Sequence, residues 1–208
     1  MNIIKKIFIL AIVLCITGCF SLTPKVKKIS YYSLEYNPPK ISVPARLPHV
    51  IRIERFQVSP LYDSNKIIFK ENRFKRDAYF FHKWWANPGD IVSYFLARDM
   101  KQSEIFKAVF AFDRNLPSTH VIEGVVDEFF EQDETDVWKA VLSVSITLVK
   151  ESEPDVSKRI LLQKKYSAKE LCIKKNPRAL AEAMSKAMSK VSENVIGDIY
   201  NTLKKRRK

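Results

Sequence analysis

The chain has only four glycines in 208 residues, Gly18, Gly89, Gly124 and Gly197, too scattered to build a phosphate-cradling loop. That excludes an ATPase. Histidine is equally sparse. His49, His82 and His120 lie far apart, with no second histidine or cysteine at ligand spacing, which argues against a zinc site. No Gly-x-Ser-x-Gly elbow occurs, and Cys172 has no activating base near it in sequence. The expectation is a protein that is not an enzyme, holds no metal and uses no cofactor. A lipid-modifying enzyme would instead need an acid, a base and a nucleophile brought together by the fold. Long apolar runs are missing too. The run at residues 7–16 is too short to span roughly 30 Å of hydrocarbon as a helix.

What is present begins at the N-terminus. Lys5 and Lys6 precede that short apolar run, and Ile16-Thr17-Gly18-Cys19 follows it. A cationic start, a short apolar core and small residues before a cut are the parts of a secretory signal. The cysteine directly after Gly18 resembles the bacterial lipobox, which implies cleavage between Gly18 and Cys19 and acylation of Cys19. Cys15 does not compete, because bulky Leu14 stands before it. Residues 1–18 are thus read as a leader and residues 19–28 as a lipidated tether. With Cys15 removed and Cys19 acylated, Cys172 is left alone and no internal disulfide can form. Phe20, where aspartate would retain an enteric lipoprotein in the inner membrane, leans toward the outer membrane.

The formal charge is +13, from 36 Lys and Arg against 23 Asp and Glu. Two lysines fall in the leader, three in the tether (Lys25, Lys27, Lys28) and five cations in residues 204–208. Residues 29–203 then hold 26 basic against 23 acidic groups. A body so near neutrality carries no groove-reading basic face, so no nucleic acid partner is expected. The basic tail, 204–208, reads as a solvated end or as a contact for anionic lipid or an acidic partner.

Within residues 29–203 the pattern predicts strands and two long amphipathic helices in one domain, without internal repeats. Residues 29–36 read as an aromatic strand and 37–48, with four prolines, as a crossing loop. A second strand covers 49–58, and 66–70 and 74–81 form a hairpin. Residues 82–90 open a helix: Asn87 is a good N-cap, Pro88 suits the first helical position and Asp90 places a carboxylate in the first turn. A short strand follows at 105–112, then the longest hairpin, 121–131 with 136–150. Its second arm alternates Trp138, Ala140, Leu142, Val144, Ile146 and Leu148 with period two, the mark of one buried face. A further strand covers 158–167. Asn176-Pro177 repeats the cap device and starts the longest helix, where Leu180, Met184, Ala187, Val191, Val195, Ile199 and Leu203 recur at three- and four-residue spacing. Trp84 and Trp85 are neighbours in an extended segment and point to opposite sides. Trp85 is assigned to structure and Trp84 to a subunit or partner contact.

Six features in this order resemble the ABC-type transport auxiliary lipoproteins: the lipobox, Tyr31-Tyr32-Ser33-Leu34, Trp85-Ala86-Asn87-Pro88, Ser103-Glu104-Ile105-Phe106, the long hairpin, and an alanine-rich last helix around residues 178–185. The chain departs at Asn87, where an acidic residue is usual, at Gly89, where a larger apolar residue is commoner, and in its basic tail. The resemblance implies an α+β fold, a mixed β-sheet packed against two long helices. It also implies a non-catalytic docking subunit on the periplasmic face of the envelope, serving an ABC-linked, MCE-type phospholipid transport system. The implied partners are an MCE-domain periplasmic protein, the membrane through the N-terminal lipid, and further copies of the chain. The other reading is an envelope-assembly or cell-wall-associated structural lipoprotein.

Overall fold

In the computed structural model, which describes Ile3 and residues 27–112, 116–134 and 136–206, one strand organises the sheet. This is β7 (His120–Asp133), 14 residues long. One side pairs antiparallel along its length with β8 (Trp138–Lys150), which in turn pairs with β9 (Ile160–Leu171). The other side meets three short parallel partners in succession: β2 (Leu47–Ile53), β3 (Gln57–Val58) and β4 (Lys66–Lys70). β2 carries β6 (Phe106–Phe110) in parallel. β4 carries β5 (Arg76–Trp84) antiparallel, and β5 carries β1 (Ser30–Tyr32) in parallel. The described residues thus form one mixed α/β domain with a nine-stranded mixed sheet and three helices. The helices are α1 (Pro88–Gln102), the four-residue α2 (Val156–Arg159) and α3 (Pro177–Lys205), with 15 residues in α1 and 29 in α3.

The sequence periodicities become burial. Ala140, Leu142, Val144, Ile146 and Leu148 of β8 are all at most 1% exposed, and all seven stripe residues of α3 are buried beneath the helix. Fully burying each Leu, Ile, Val or Met contributes about 1.5–3 kcal/mol, an upper figure because unfolded chains are already partly compact. Both predicted caps form. Asn87 accepts from the Gly89 N–H and Asn176 from the Ala179 N–H, each followed by proline in the first turn. On the other face Ser145 donates to Asp127, which also pairs with Lys165, while Phe130 and Val141 of that face are buried as well, Phe130 under the Tyr62 ring.

Several boundaries move, each for a tertiary reason. The first strand shrinks to Ser30–Tyr32, because the chain then leaves the sheet to run between the helices. There Tyr36 stacks on Phe95 and donates to the fully buried Asp99 of α1 at 2.6 Å, while the Glu35 N–H reaches Ser185 of α3 at 3.0 Å. Arg98 neutralises Asp99 at 2.7 Å, with its guanidinium over the Tyr36 ring. The second strand splits in two around Phe56, whose ring covers Gly124 of β7. Residues 82–84 finish β5 rather than open α1. Lys204 and Lys205, placed in the tail, form the last turn of α3, where cations favour the helix dipole.

Candidate functional site

The turn from β5 into α1 is a tightly built junction. The Asn87 amide accepts from Gly89 and donates to Asp63 at 2.8 Å. Ser93, one turn on, donates to the Gly89 carbonyl and accepts the Phe56 N–H at 2.8 Å. A side chain at Gly89 would press into the Phe56 carbonyl oxygen and lie 2.9 Å from Val58. This close approach leaves no room for a side chain at residue 89.

The burial of the two tryptophans before this junction is the reverse of the expectation. Trp84 is 1% exposed and packs edge-on against Phe129 of β7, ring centroids 5.1 Å apart. Its neighbour Trp85 is 73% exposed and stands edge-on to half-exposed Tyr31, at 5.6 Å. The alternation was legible; its phase was not. β5 bulges, so that Lys66 faces Lys83 while Ile68 faces Ala78, and the bulge turns Trp84 inward. Trp84 as an exposed partner contact is therefore corrected. The same edge also exposes Phe80, edge-on to Phe81, and places Lys27 over the Phe81 ring. Adjoining exposed aromatics of this kind mark contact surfaces.

Beneath the edge lies a buried polar chain that sequence reading missed. Glu131 is fully buried and takes the Tyr79 hydroxyl at 3.1 and 3.2 Å on its two oxygens. The Tyr79 ring meets His82, which shares a 3.0 Å hydrogen bond with Tyr32. Burial pushes the Glu131 carboxyl up to about 7, Tyr79 opposes the rise and Asp133 adds to it. A signal for this burial existed, since Glu131 shares the parity of buried Phe129. Burial and the Glu131 charge push the Cys172 thiol up to about 11, which leaves it a poor nucleophile. With zero exposure, the Glu131 carboxylate is closed to any substrate.

The β2–β7 ladder also brings together two histidines remote in sequence, His49 and His120, with ring centroids 4.7 Å apart. Burial, then the charges of His49 and Lys150, hold His120 down to about 4. Among the described residues no group of three His, Cys, Asp or Glu side chains is placed to hold a metal. No helix of the described residues is long and apolar enough to cross a membrane. Gly18 and Cys19, the expected cleavage and lipidation site, lie outside the described residues.

These features define a mixed α/β domain that keeps its titratable clusters inside and presents aromatics along one edge of its sheet. The chain belongs to the family of ABC-type transport auxiliary lipoprotein components, whose family model matches residues 32–196. Its role is accordingly that of an auxiliary component associated with transport, a description that names no catalysis. The fold is similar to the crystal structure of a protein from Xanthomonas campestris, with a TM-score of 0.77 at 14% identity, covering 86% of this chain and 98% of that one. It is also similar to a hypothetical protein from Chlamydia trachomatis, with a TM-score of 0.51 at 9% identity, covering 76% and 98%. At these identities the likeness is one of fold. No curated protein matches the chain in sequence.

Proposed function

We propose that the chain is a lipid-anchored, non-catalytic docking subunit of an ABC-linked, MCE-type system that moves phospholipid between membranes. The observation that carries this reading is the auxiliary-lipoprotein match across residues 32–196. Lipid on Cys19 holds the domain at the periplasmic face, with the outer membrane favoured by Phe20. One acyl chain anchors only marginally, and each buried CH₂ adds about 0.8 kcal/mol, so a triacylated cysteine anchors lastingly. A ten-residue tether reaches at most roughly 35 Å, which keeps the body within one domain diameter of the bilayer. The MCE-domain partner meets the β1–β5 edge, where Tyr31 and Trp85 offer rigid aromatic area, and copies of the domain associate with one another.

The test is a pull-down of the acylated protein from detergent-solubilised envelopes, with mass spectrometry of proteins and co-purified lipid. An MCE-domain protein together with phospholipid is the expected recovery. Cell-wall or assembly factors in its place would replace this reading with that of an envelope structural lipoprotein.

A further inference from the structure

β6 stands at the opposite end of the strand order from the β1–β5 edge. It bonds to β2 on one side, and among the described residues no strand occupies its other side. Helix α1 runs beside this free edge, and the two enclose an open groove of about 980 Å³. The helix contributes Tyr94, Ala97, Arg98, Lys101 and Gln102; the strand contributes its whole length. Tyr94 is 61% exposed, a large ring left standing at the groove wall.

The groove is predominantly basic. Arg46, Arg98, Lys101 and Lys107 line it against a single carboxylate, Glu104. Glu104 is taken by Arg46, and Arg98 is taken by buried Asp99. Lys101 on the helix and Lys107 on the strand form no ion pair among the described residues, and both are exposed. Two free ammonium groups thus flank a strip of unpaired strand backbone. Hydrocarbon laid there would leave the strand's N–H and C=O groups without partners, at a cost of roughly 1–3 kcal/mol each. An extended peptide satisfies them by adding a strand, as happens where a sheet edge faces a helix across a groove.

We propose that the α1–β6 groove binds an extended acidic segment of a partner protein, which adds as a strand to β6 and sets its carboxylates against Lys101 and Lys107. Five strand residues span roughly 17 Å, so the segment needs five or six residues in contact. This site is separate from the aromatic edge, at the other end of the strand order.

The test uses the full chain in detergent, a fluorescein-labelled peptide of alternating Val and Glu, and a matched peptide with Lys in place of Glu. Anisotropy at low salt should show the acidic peptide binding and the basic one failing to bind. Hydrogen exchange should slow at residues 106–110 when the acidic peptide is present. The double variant K101E/K107E, altered only at exposed positions, should lose at least tenfold in affinity while melting like the parent. Equal binding of the two peptides, or binding without slowed exchange in β6, would overturn the proposal. So would slowed exchange that follows protein concentration without peptide, which would make a second copy the occupant. Phosphatidylglycerol vesicles that bind in a Lys101- and Lys107-dependent way while β6 exchange stays fast would make it a lipid surface.

Discussion

Glu131 and His120 lie on the same strand and act on folding in opposite senses. The carboxyl, raised to about 7, binds its proton more tightly in the folded chain. Its contribution therefore falls as pH rises from about 4.5 through 7. The imidazole, depressed to about 4, binds its proton more weakly when folded, so its contribution is lost as pH falls from 6.5 through 4. Between pH 4.5 and 6.5 the two slopes oppose each other, each about 1.4 kcal/mol per pH unit. Glu131→Gln should uncover the histidine's slope in urea titrations, with stability rising through that window, and should gain about 3 kcal/mol over the parent at pH 8. His120→Gln should uncover the opposite slope. An unchanged profile in either variant would show that the group titrates alike in both states. The tryptophans separate by burial at the same scale. Trp84→Ala should cost about 3–5 kcal/mol by emptying the space over Phe129. Trp85→Ala should leave stability within about 0.5 kcal/mol yet weaken recovery of the partner. A normal pull-down with Trp85→Ala would remove the aromatic edge from the docking surface.

At the scale of elements, the two helices answer differently to the same substitution. Gly89 sits where α1 presses on the chain around Phe56, and an added methyl has nowhere to go without moving the helix start. Gly89→Ala should destabilise by about 1–3 kcal/mol, the usual cost of overpacking. Gly197 lies inside α3 with open space around its missing side chain. Gly197→Ala should therefore stabilise by about 0.5–1 kcal/mol, from helix propensity alone. Thermal melts of the two variants should move in opposite directions. A shared direction would mean that α1 is not clamped through Gly89. The elements themselves were largely legible. The β7–β8 hairpin and α3 follow from periodicity, and both helix starts from an asparagine followed by a proline. The failures came where a strand answers to a distant neighbour. Residues 49–58 carry a continuous β pattern, yet they break at Phe56 because its ring is drawn onto Gly124.

For the whole molecule, charge and anchoring go together. The net positive charge is concentrated at the two ends of the chain while the body is almost balanced. On the proposed reading, attachment to the bilayer rests on acyl chains at Cys19 rather than on a basic surface of the domain. Cys19→Ala should move the protein from the membrane fraction to the soluble one, or halt its processing, at physiological salt. Retention in the membrane with full processing would point to an anchor other than acyl chains. Tether lysines close to anionic lipid add about 1 kcal/mol each, which salt weakens. High salt alone should therefore leave the acylated protein bound.

The sequence by itself determined what depends on near neighbours along the chain: helix starts, the period-two face of β8 and the stripe of α3. These follow from backbone periodicity and local capping, which need no distant contact. It also determined that Trp84 and Trp85 point apart. Only the tertiary structure decided which of them is buried, because the phase of β5 is set by its bulge against β4 and by Phe129 on β7. The His49–His120 contact, the enclosure of Glu131 and the free β6 edge beside α1 arose in the same way. Each joins residues far apart in the chain, and strand pairing with close packing, rather than local propensity, brings such residues together.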